Sequence, residues 1–185
     1  SIVDRRVALS LASGHLTAPE GGRLDLSGST MVIPRTGIPN PPARFDLAIG
    51  GRITAAMSVL AGPPFNVLRA SDLPVSFAQG RADITATLDT PLGRDIAPDQ
   101  RVWTASADLR DVRSDVIVPN RTTTASALQL RADADSLLVR GPVRLAGLGG
   151  DMTFSRALGA GSEGTARVEA SVTIGPAFLE AFNIN

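Results

Sequence analysis

The chain carries few side chains that could perform covalent or metal chemistry. His15 is its single histidine, and the sequence contains no cysteine. His15 lies in the stretch GHL with no recognisable nucleophile elbow beside it, so nothing in the sequence supports a Ser-His-Asp relay. A zinc site also lacks its usual ligands, because these are mainly cysteine and histidine. We therefore expect no catalytic residue, no metal and no cofactor.

Two further kinds of motif have the composition of turns. Asp133 and Asp135 stand two residues apart in RADADS, which calcium could use, but the loop lacks the glycine and the distal glutamate of an EF-hand. The glycine-rich stretches GLGGD (147–151) and GAGSEG (159–164) lack the Lys-Ser/Thr pair of a phosphate-binding loop. The sequence predicts turns between strands at all three places.

Composition sets the broad class of the protein. The 185 residues suffice for one domain or at most two, and 43% of them are hydrophobic, which argues against disorder. Eighteen basic and eighteen acidic residues cancel to a net charge of +0, so the sequence lacks the basic excess of a nucleic-acid-binding protein. No apolar run approaches the roughly 20 residues of a membrane-spanning helix.

Alternation of apolar and polar residues dominates the chain and predicts about nine β-strands. Each of them is apolar on one face and carries Arg, Asp, Thr or Ser on the other, which is typical of antiparallel sheet with one dry and one wet face. The stretches concerned are RVALSL, RLDLSG, RFDLAIGG, RADITATLD, VWTASADLRDV, SALQLRADA, SLLVRGPVRLAG, the shorter DMTFS, and ARVEASVTI. The predicted fold is mostly β: one long, antiparallel, curved sheet.

One segment, about residues 53–72, breaks the alternation and predicts a short helical interruption. Ala55, Ala56 and Val59 fit a helix that ends before Pro63, and a second apolar turn follows up to Pro74. The motif GPPF (62–65) in this segment recurs as GPAF (175–178) after another strand-like stretch. We therefore expect residues 1–185 to be a single β-groove segment cut from a larger repeat protein, with a next repeat beginning at about 175–185.

The apolar face of such a sheet must be buried against another layer, and the two short predicted helical pieces are too small to bury much of it. One interpretation is a closed sandwich or barrel whose faces cover each other. The other is a curved sheet whose apolar concave face stays open to acyl chains. Alanine is frequent on that face, at positions 105, 107, 132, 166 and 170, which favours a smooth and shallow wall.

The central part of the chain, about residues 45–155, resembles AsmA-like proteins, in particular the YhdP-type group. The shared features are an aliphatic stretch ending in a Pro-Pro turn and three strand motifs. The matching positions are Pro63 and Pro64; Gly80, Ala82, Leu88, Pro91 and Leu92; Leu109, Asp111 and Val112; and Leu137, Val139, Gly141, Leu145 and Gly147. These motifs mark turns and strand ends. The family has no catalytic residues that could be assigned to positions of this chain.

The resemblance implies a location and a role. AsmA-like proteins are large periplasmic proteins of Gram-negative bacteria, anchored in the inner membrane by an N-terminal helix, and we expect this chain to be a segment of such a protein without that anchor. Their repeated sheets form a hydrophobic groove, as in bridge-like lipid-transfer proteins. The implied function is conduction of phospholipid acyl chains between the inner and outer membranes, with neighbouring repeats of the same parent chain as partners and no nucleic acid.

Fourteen residues are the candidate lining of this groove. They are apolar residues of the alternating stretches from RADITATLD to ARVEASVTI. The set is Ile84, Ala86, Leu88, Trp103, Ala105, Ala107, Leu109, Leu128, Leu130, Leu137, Val139, Val168, Ala170 and Val172.

Two alternatives stay open at this point. One is a β-sandwich scaffold module of an envelope assembly protein that binds no lipid, which a fully covered dry face would indicate. The other is a hydrolase that uses His15. A sequence without paired catalytic groups favours neither of them over a passive binding surface.

Overall fold

A computed structural model describes residues 6–62, 74–94, 96–118, 120–145, 148–158 and 166–172 of the chain. Eleven strands in this part form one sheet whose neighbours pair antiparallel. They are β1 (Val7–Ser10), β2 (His15–Thr17), β3 (Arg23–Asp25), β4 (Thr30–Ile33), β5 (Pro42–Arg52), β6 (Gln79–Pro91), β7 (Val102–Val118), β8 (Arg121–Asp133), β9 (Ser136–Leu145), β10 (Leu148–Ala157) and β11 (Ala166–Val172).

The order of the strands follows the chain. From β4 to β11 each long strand pairs with the next, β1 lies beside β4 at one end, and the hairpin β2–β3 attaches to β5. Short connections of this kind suit antiparallel neighbours. The sheet stays open because β1 and β11 are the two ends of the order and do not pair with each other. The predicted fold class is confirmed, and the closed sandwich does not occur among the described strands.

Cross-strand register gives the sheet two chemically different faces. In an antiparallel pair, residues directly opposite each other share a face. Ile84 lies opposite Ala107, whereas the next residue, Thr85, lies opposite Ser106. We call the first face the apolar face and the second the polar face. The apolar face carries, among others, Leu47, Ile49, Ile84, Ala86, Ala105, Ala107, Leu130, Val139 and Phe154.

The structure departs from the sequence prediction at three strands. β2 and β4 were not among the predicted alternating stretches, because β2 contains a single apolar residue, Leu16, and β4 contains three in succession, Met31 to Ile33. The stretch GLGGD was predicted to be a turn, and this is wrong: Gly149 and Gly150 belong to β10 and pair with Arg144 and Val143 of β9. Glycine lacks a side chain to pack but keeps both backbone groups, so the ladder of hydrogen bonds holds it in the strand. The predicted turn GAGSEG lies outside the described residues.

A single helix of nine residues, α1 (Ile53–Ala61), interrupts the strands as predicted. It starts immediately after β5, where alternation ends, and the Gly62 N–H donates to the Val59 carbonyl at its C-terminus. Its buried residues include Ile53, Ala55 and Ala56. The second half of the predicted interruption, after Pro63, lies outside the described residues, as does the expected next repeat at 175–185.

Helix α1 covers one end of the apolar face. Ile53 packs with Ala82 of β6, and Leu109 of β7 contacts the same cluster. From the outer side, Leu24 of β3 packs against Ala55. The hairpin β2–β3 is further tied to the helix by the Glu20 N–H, which donates to the buried Ser58 hydroxyl at 2.9 Å. The helix is therefore held between the hairpin and the sheet.

A bulge where β6 meets β7 bends the sheet beside this helix. Gln79 pairs with Arg113 and Arg81 with Arg110, so two residues of β7 oppose Gly80 alone. Gly80 has φ +131° and Asp111 has φ +51°. A Cβ on Gly80 would lie 2.6 Å from the Arg110 carbonyl oxygen, a separation that real side chains do not adopt. Glycine is therefore required by both the backbone angle and the close approach.

Replacing this glycine should destabilise the sheet. For Gly80→Ala we expect the free energy of unfolding to fall by about 1–3 kcal/mol, the usual cost of a strained backbone position. Urea denaturation followed by circular dichroism measures the change. Gly149→Ala is the matched control, because its Cβ would meet nothing within 4 Å and its strand conformation accepts alanine. Equal stability of the two variants would contradict the assignment of strain to Gly80.

Candidate functional site

The fourteen residues predicted to line a groove share the apolar face. One row of directly opposed side chains crosses seven strands from β5 to β11. This row consists of Ile49, Ile84, Ala107, Leu130, Val139, Phe154 and Val168. The row nearest α1 holds Leu109 and Leu128, and Ala170 continues it on β11 opposite Met152. The backbone register also puts Val172 opposite Gly150 on this face.

A second row differs from the first because its centre is made of alanine. Ala86, Ala105 and Ala132 lie opposite one another on β6, β7 and β8. We call these three residues the alanine trough. Leu47 of β5 and Leu137 of β9 close its two ends.

Larger side chains flank the alanine trough on both sides. Leu88 and Trp103 lie opposite each other on the side away from α1. Ile84 and Leu130 lie on the side toward α1, with the buried Ala107 between them. Rows on one face are about 6.6 Å apart along a strand, so the flanking rows are about 13 Å apart. Strand spacing makes the trough about 19 Å long from β5 to β9. A shallow apolar channel therefore runs across the strands.

Most of this face is only half-buried in the described part of the chain. Ile84, Ala86, Ala105 and Trp103 each retain intermediate exposure, and Val168 at the far edge is 62% exposed. Ala107 differs, since its neighbours leave it only 7% exposed. A charged residue at Ala107 would therefore disturb packing, and substitutions aimed at a ligand belong at half-buried positions instead.

Several apolar-face residues were not among the fourteen. Leu47 and Phe45 of β5 lie on the same face, as do Met152 and Phe154 of β10. The alternation in RFDLAIGG already placed Phe45 and Leu47 on the apolar face of their strand. The stretch DMTFS was too short to show that β10 is ten residues long. Arg156 is a charged residue on this face, because it lies opposite Leu137.

The polar face is organised by hydroxyl pairs and exposed ion pairs. The hydroxyls of Thr85 and Ser106 are 2.8 Å apart, and those of Thr87 and Thr104 are 2.9 Å apart. The Arg110 guanidinium lies 3.0 Å from the Asp83 carboxylate. Exposed pairs of this kind contribute little stability, about 0–1 kcal/mol each. They keep this face in water and thereby fix which face is left for apolar contact.

Three shallow depressions lie on the polar face. The largest, of about 760 Å³, is bordered by Thr85, Thr104, Arg131 and Leu138, and the others measure about 540 and 450 Å³. The expected concavity of the apolar face is not among these three. The apolar face is better described as a channelled surface than as an enclosed cavity.

Asp133 and Asp135 form a turn, as predicted, between β8 and β9. The Asp135 N–H, the Ser136 hydroxyl and the Ser136 N–H donate to one Asp133 carboxylate oxygen at 2.9, 3.0 and 2.8 Å. These hydrogen bonds hold the pKa of Asp133 below its ordinary value of 3.8. Across the described ranges, no three histidine, aspartate or glutamate side chains gather closely enough to hold a metal ion.

His15 is exposed on β2, where the register puts it opposite Asp25 of β3. The Ser27 hydroxyl donates directly to the Asp25 carboxylate, which lowers the pKa of Asp25. A catalytic relay requires the imidazole between the hydroxyl and the carboxylate. The arrangement of these three residues is that of a turn rather than of a relay.

Comparisons with known proteins do not identify a relative: no protein-family model, no curated protein and no solved structure matches the chain. The resemblance to AsmA-like proteins therefore stays a prediction. Among the described residues, no helix has both the length and the apolar content needed to cross a bilayer.

The hydrogen-bonded turn at Asp133 should make stability depend on pH. Its folded-state pKa lies below the unfolded value, so its contribution is complete above about pH 4 and is lost as the pH falls through the folded pKa. Asn keeps the accepting oxygen but does not titrate. We expect Asp133→Asn to lose less stability than the wild type between pH 5 and pH 2, as measured by thermal unfolding. Asp133→Ala, which lacks the acceptor, should be less stable already at pH 7. A wild-type pH dependence in Asp133→Asn would contradict this account.

Proposed function

We propose that the apolar face binds phospholipid acyl chains and that the protein acts passively, without catalysis. The observation that carries the proposal is the half-buried alanine trough between larger apolar side chains, of which Ile84, Leu88, Trp103 and Leu130 are also half-buried. A bound chain would gain about 0.8 kcal/mol for each methylene removed from water. No specific polar contact is needed for such partition, which agrees with a surface that has no convergent charged groups.

The dimensions of the trough suit an acyl chain lying across the strands. The hydrocarbon core of a bilayer is about 30 Å thick, so one leaflet's chain spans about 15 Å. The trough extends about 19 Å between Leu47 and Leu137. One acyl chain therefore fits along the trough.

The two long sides of the trough differ, and this difference suggests where a headgroup would lie. Helix α1 and the hairpin β2–β3 cover the side near Leu109. The opposite side carries Trp103, whose ring combines a large apolar surface with an N–H donor. We propose that the headgroup lies beyond Trp103, in solvent, while the acyl chain lies on the sheet.

A wider role follows from the resemblance to AsmA-like proteins alone. We propose that a longer parent protein, anchored in the inner membrane and located in the periplasm of a Gram-negative bacterium, stacks such sheets into a path. Phospholipid would pass along the apolar faces of neighbouring repeats toward the outer membrane. In this chain the supporting features are the continuous apolar rows and the open ends of the sheet.

The first experiment asks whether lipid copurifies with the protein. The chain would be purified from a bacterial envelope and examined by native mass spectrometry, followed by organic extraction. Phospholipid on a folded monomer supports the proposal. A folded, lipid-free monomer would favour the scaffold alternative, in which the apolar face contacts protein.

Adjacent leucines on opposite faces allow a sharper test. Leu137 is on the apolar face at the end of the trough, whereas Leu138 is on the polar face opposite Arg131. Both side chains are half-buried. Each leucine is replaced in turn by photoreactive benzoylphenylalanine, and the variants are irradiated with mixed phosphatidylethanolamine and phosphatidylglycerol vesicles that carry a radiolabelled phospholipid.

We expect at least roughly tenfold more labelled adduct from the Leu137 variant than from the Leu138 variant. A tenfold ratio corresponds to about 1.4 kcal/mol, which is less than the transfer of two methylenes. Circular dichroism confirms that both variants fold. Equal labelling would indicate nonspecific adsorption, and stronger labelling at Leu138 would move the lipid to the polar-face depression; either result rejects the proposed site.

A further inference from the structure

Strand β11 is an edge with features that favour pairing. Among the described strands it is the last in the sheet order, and it pairs with β10 through seven residue pairs, from Ala166 to Val172. Its side chains from Ala166 to Ser171 are exposed, and Val168 is 62% exposed. An edge strand presents unpaired N–H and C=O groups to any strand that can align with it.

The usual protections against such pairing are weak here. Natural edges are blunted by shortness, proline, bulges or an unbalanced charge. The other end of the sheet, β1, is only four residues long. β11 has seven residues and no proline, and its Arg167 and Glu169 form an ion pair that balances their charges.

The sequence of β11 is complementary to itself in one antiparallel register. With a two-fold axis at Val168, the Val168 side chains of two copies lie opposite each other. Arg167 of each copy then lies opposite Glu169 of the other, and Ala166 lies opposite Ala170. In β10 the residues opposite Arg167 and Glu169 are Ser155 and Thr153, which carry no charge. A second copy therefore adds cross-strand charge pairs that the single chain lacks.

Shifting the axis by one residue removes the complementarity. Centred on Glu169, the pairing would put two glutamates directly opposite each other, and centred on Arg167 it would do the same with two arginines. Like charges directly opposite are destabilising. Charge thus selects the register centred on Val168 among its neighbours.

We propose that two copies of this chain associate through β11, antiparallel and centred on Val168. A two-fold axis perpendicular to the sheet keeps equivalent faces on the same side. The apolar rows that end at Val168 in each copy then continue into the other copy. The inference does not depend on what the apolar face binds. It is an alternative to the stacked repeats of a longer parent, in which the next repeat would occupy the edge of β11.

Charge exchange tests the register. Arg167→Glu puts like charges opposite each other at two places in the dimer, and we expect Kd to rise about tenfold. Glu169→Arg should do the same. The double variant, Arg167→Glu with Glu169→Arg, restores opposite charges and should return Kd to within about threefold of the wild type. Sedimentation equilibrium measures all four proteins at low salt, and urea unfolding confirms that each one folds.

Cysteine cross-linking gives an independent readout, because the natural chain contains no cysteine. Directly opposed Cβ atoms lie about 4.5–5.5 Å apart, close to disulfide geometry. Val168→Cys should form a covalent dimer under mild oxidation. Leu9→Cys, on β1 and 56% exposed, is the control and should stay mostly monomeric. The proposal is overturned if the wild type is monomeric at every concentration. It is also overturned if the double variant dimerises more weakly than either single variant, or if Leu9→Cys and Val168→Cys cross-link equally.

Discussion

The register between neighbouring strands is the constraint on which the rest of the molecule depends. Side chains alternate with period two, so a slip of one residue between β6 and β7 would place Thr85 among the aliphatic rows and Ile84 among the hydroxyls. The whole apolar face is the product of such pairings repeated from β5 to β11. The bulge at Gly80 shifts the register beside α1, and further shifts occur between β7 and β8 and between β8 and β9.

This architecture has a thin core. Within the described residues, the buried hydrophobic set consists mainly of alanine, and no large side chain is completely buried. The clusters that do form join α1 to Leu24 on one side and to Ala82 on the other. Stability therefore depends on the backbone ladder and on contacts between adjacent strands, as in repeat proteins where each unit stabilises its neighbours. A sheet of this kind can extend by adding strands, because no closed core limits its length.

The sequence predicted where the strands lie better than it predicted how they pair. Alternation identified β5 to β9, in which apolar and polar residues follow one another over ten or more positions, while β2 holds one apolar residue and β4 holds three in succession. It also assigned the fourteen candidates to one face, since the period fixes the face within each strand. Alternation could not predict which residue lies opposite which. The alanine trough exists because Ala86, Ala105 and Ala132 come into register from three strands, and register is set by hairpins and bulges that single-strand patterns do not encode. For the same reason the sequence could not predict the depressions on the polar face.

The combination of small and large residues on the apolar face argues for a surface suited to contact with a flexible apolar partner. A closed sandwich core needs side chains that interdigitate with a second layer, and such cores bury large aliphatic residues almost completely. Here the central row is alanine and the larger residues beside it, such as Leu88 and Leu130, remain half-exposed. Interdigitation would leave voids above the alanines, whereas a methylene chain can lie in the trough and contact the flanking residues along its length. The alanine row thus makes this face a poor half of a sandwich, and the same row is the feature on which the proposed contact with an acyl chain rests.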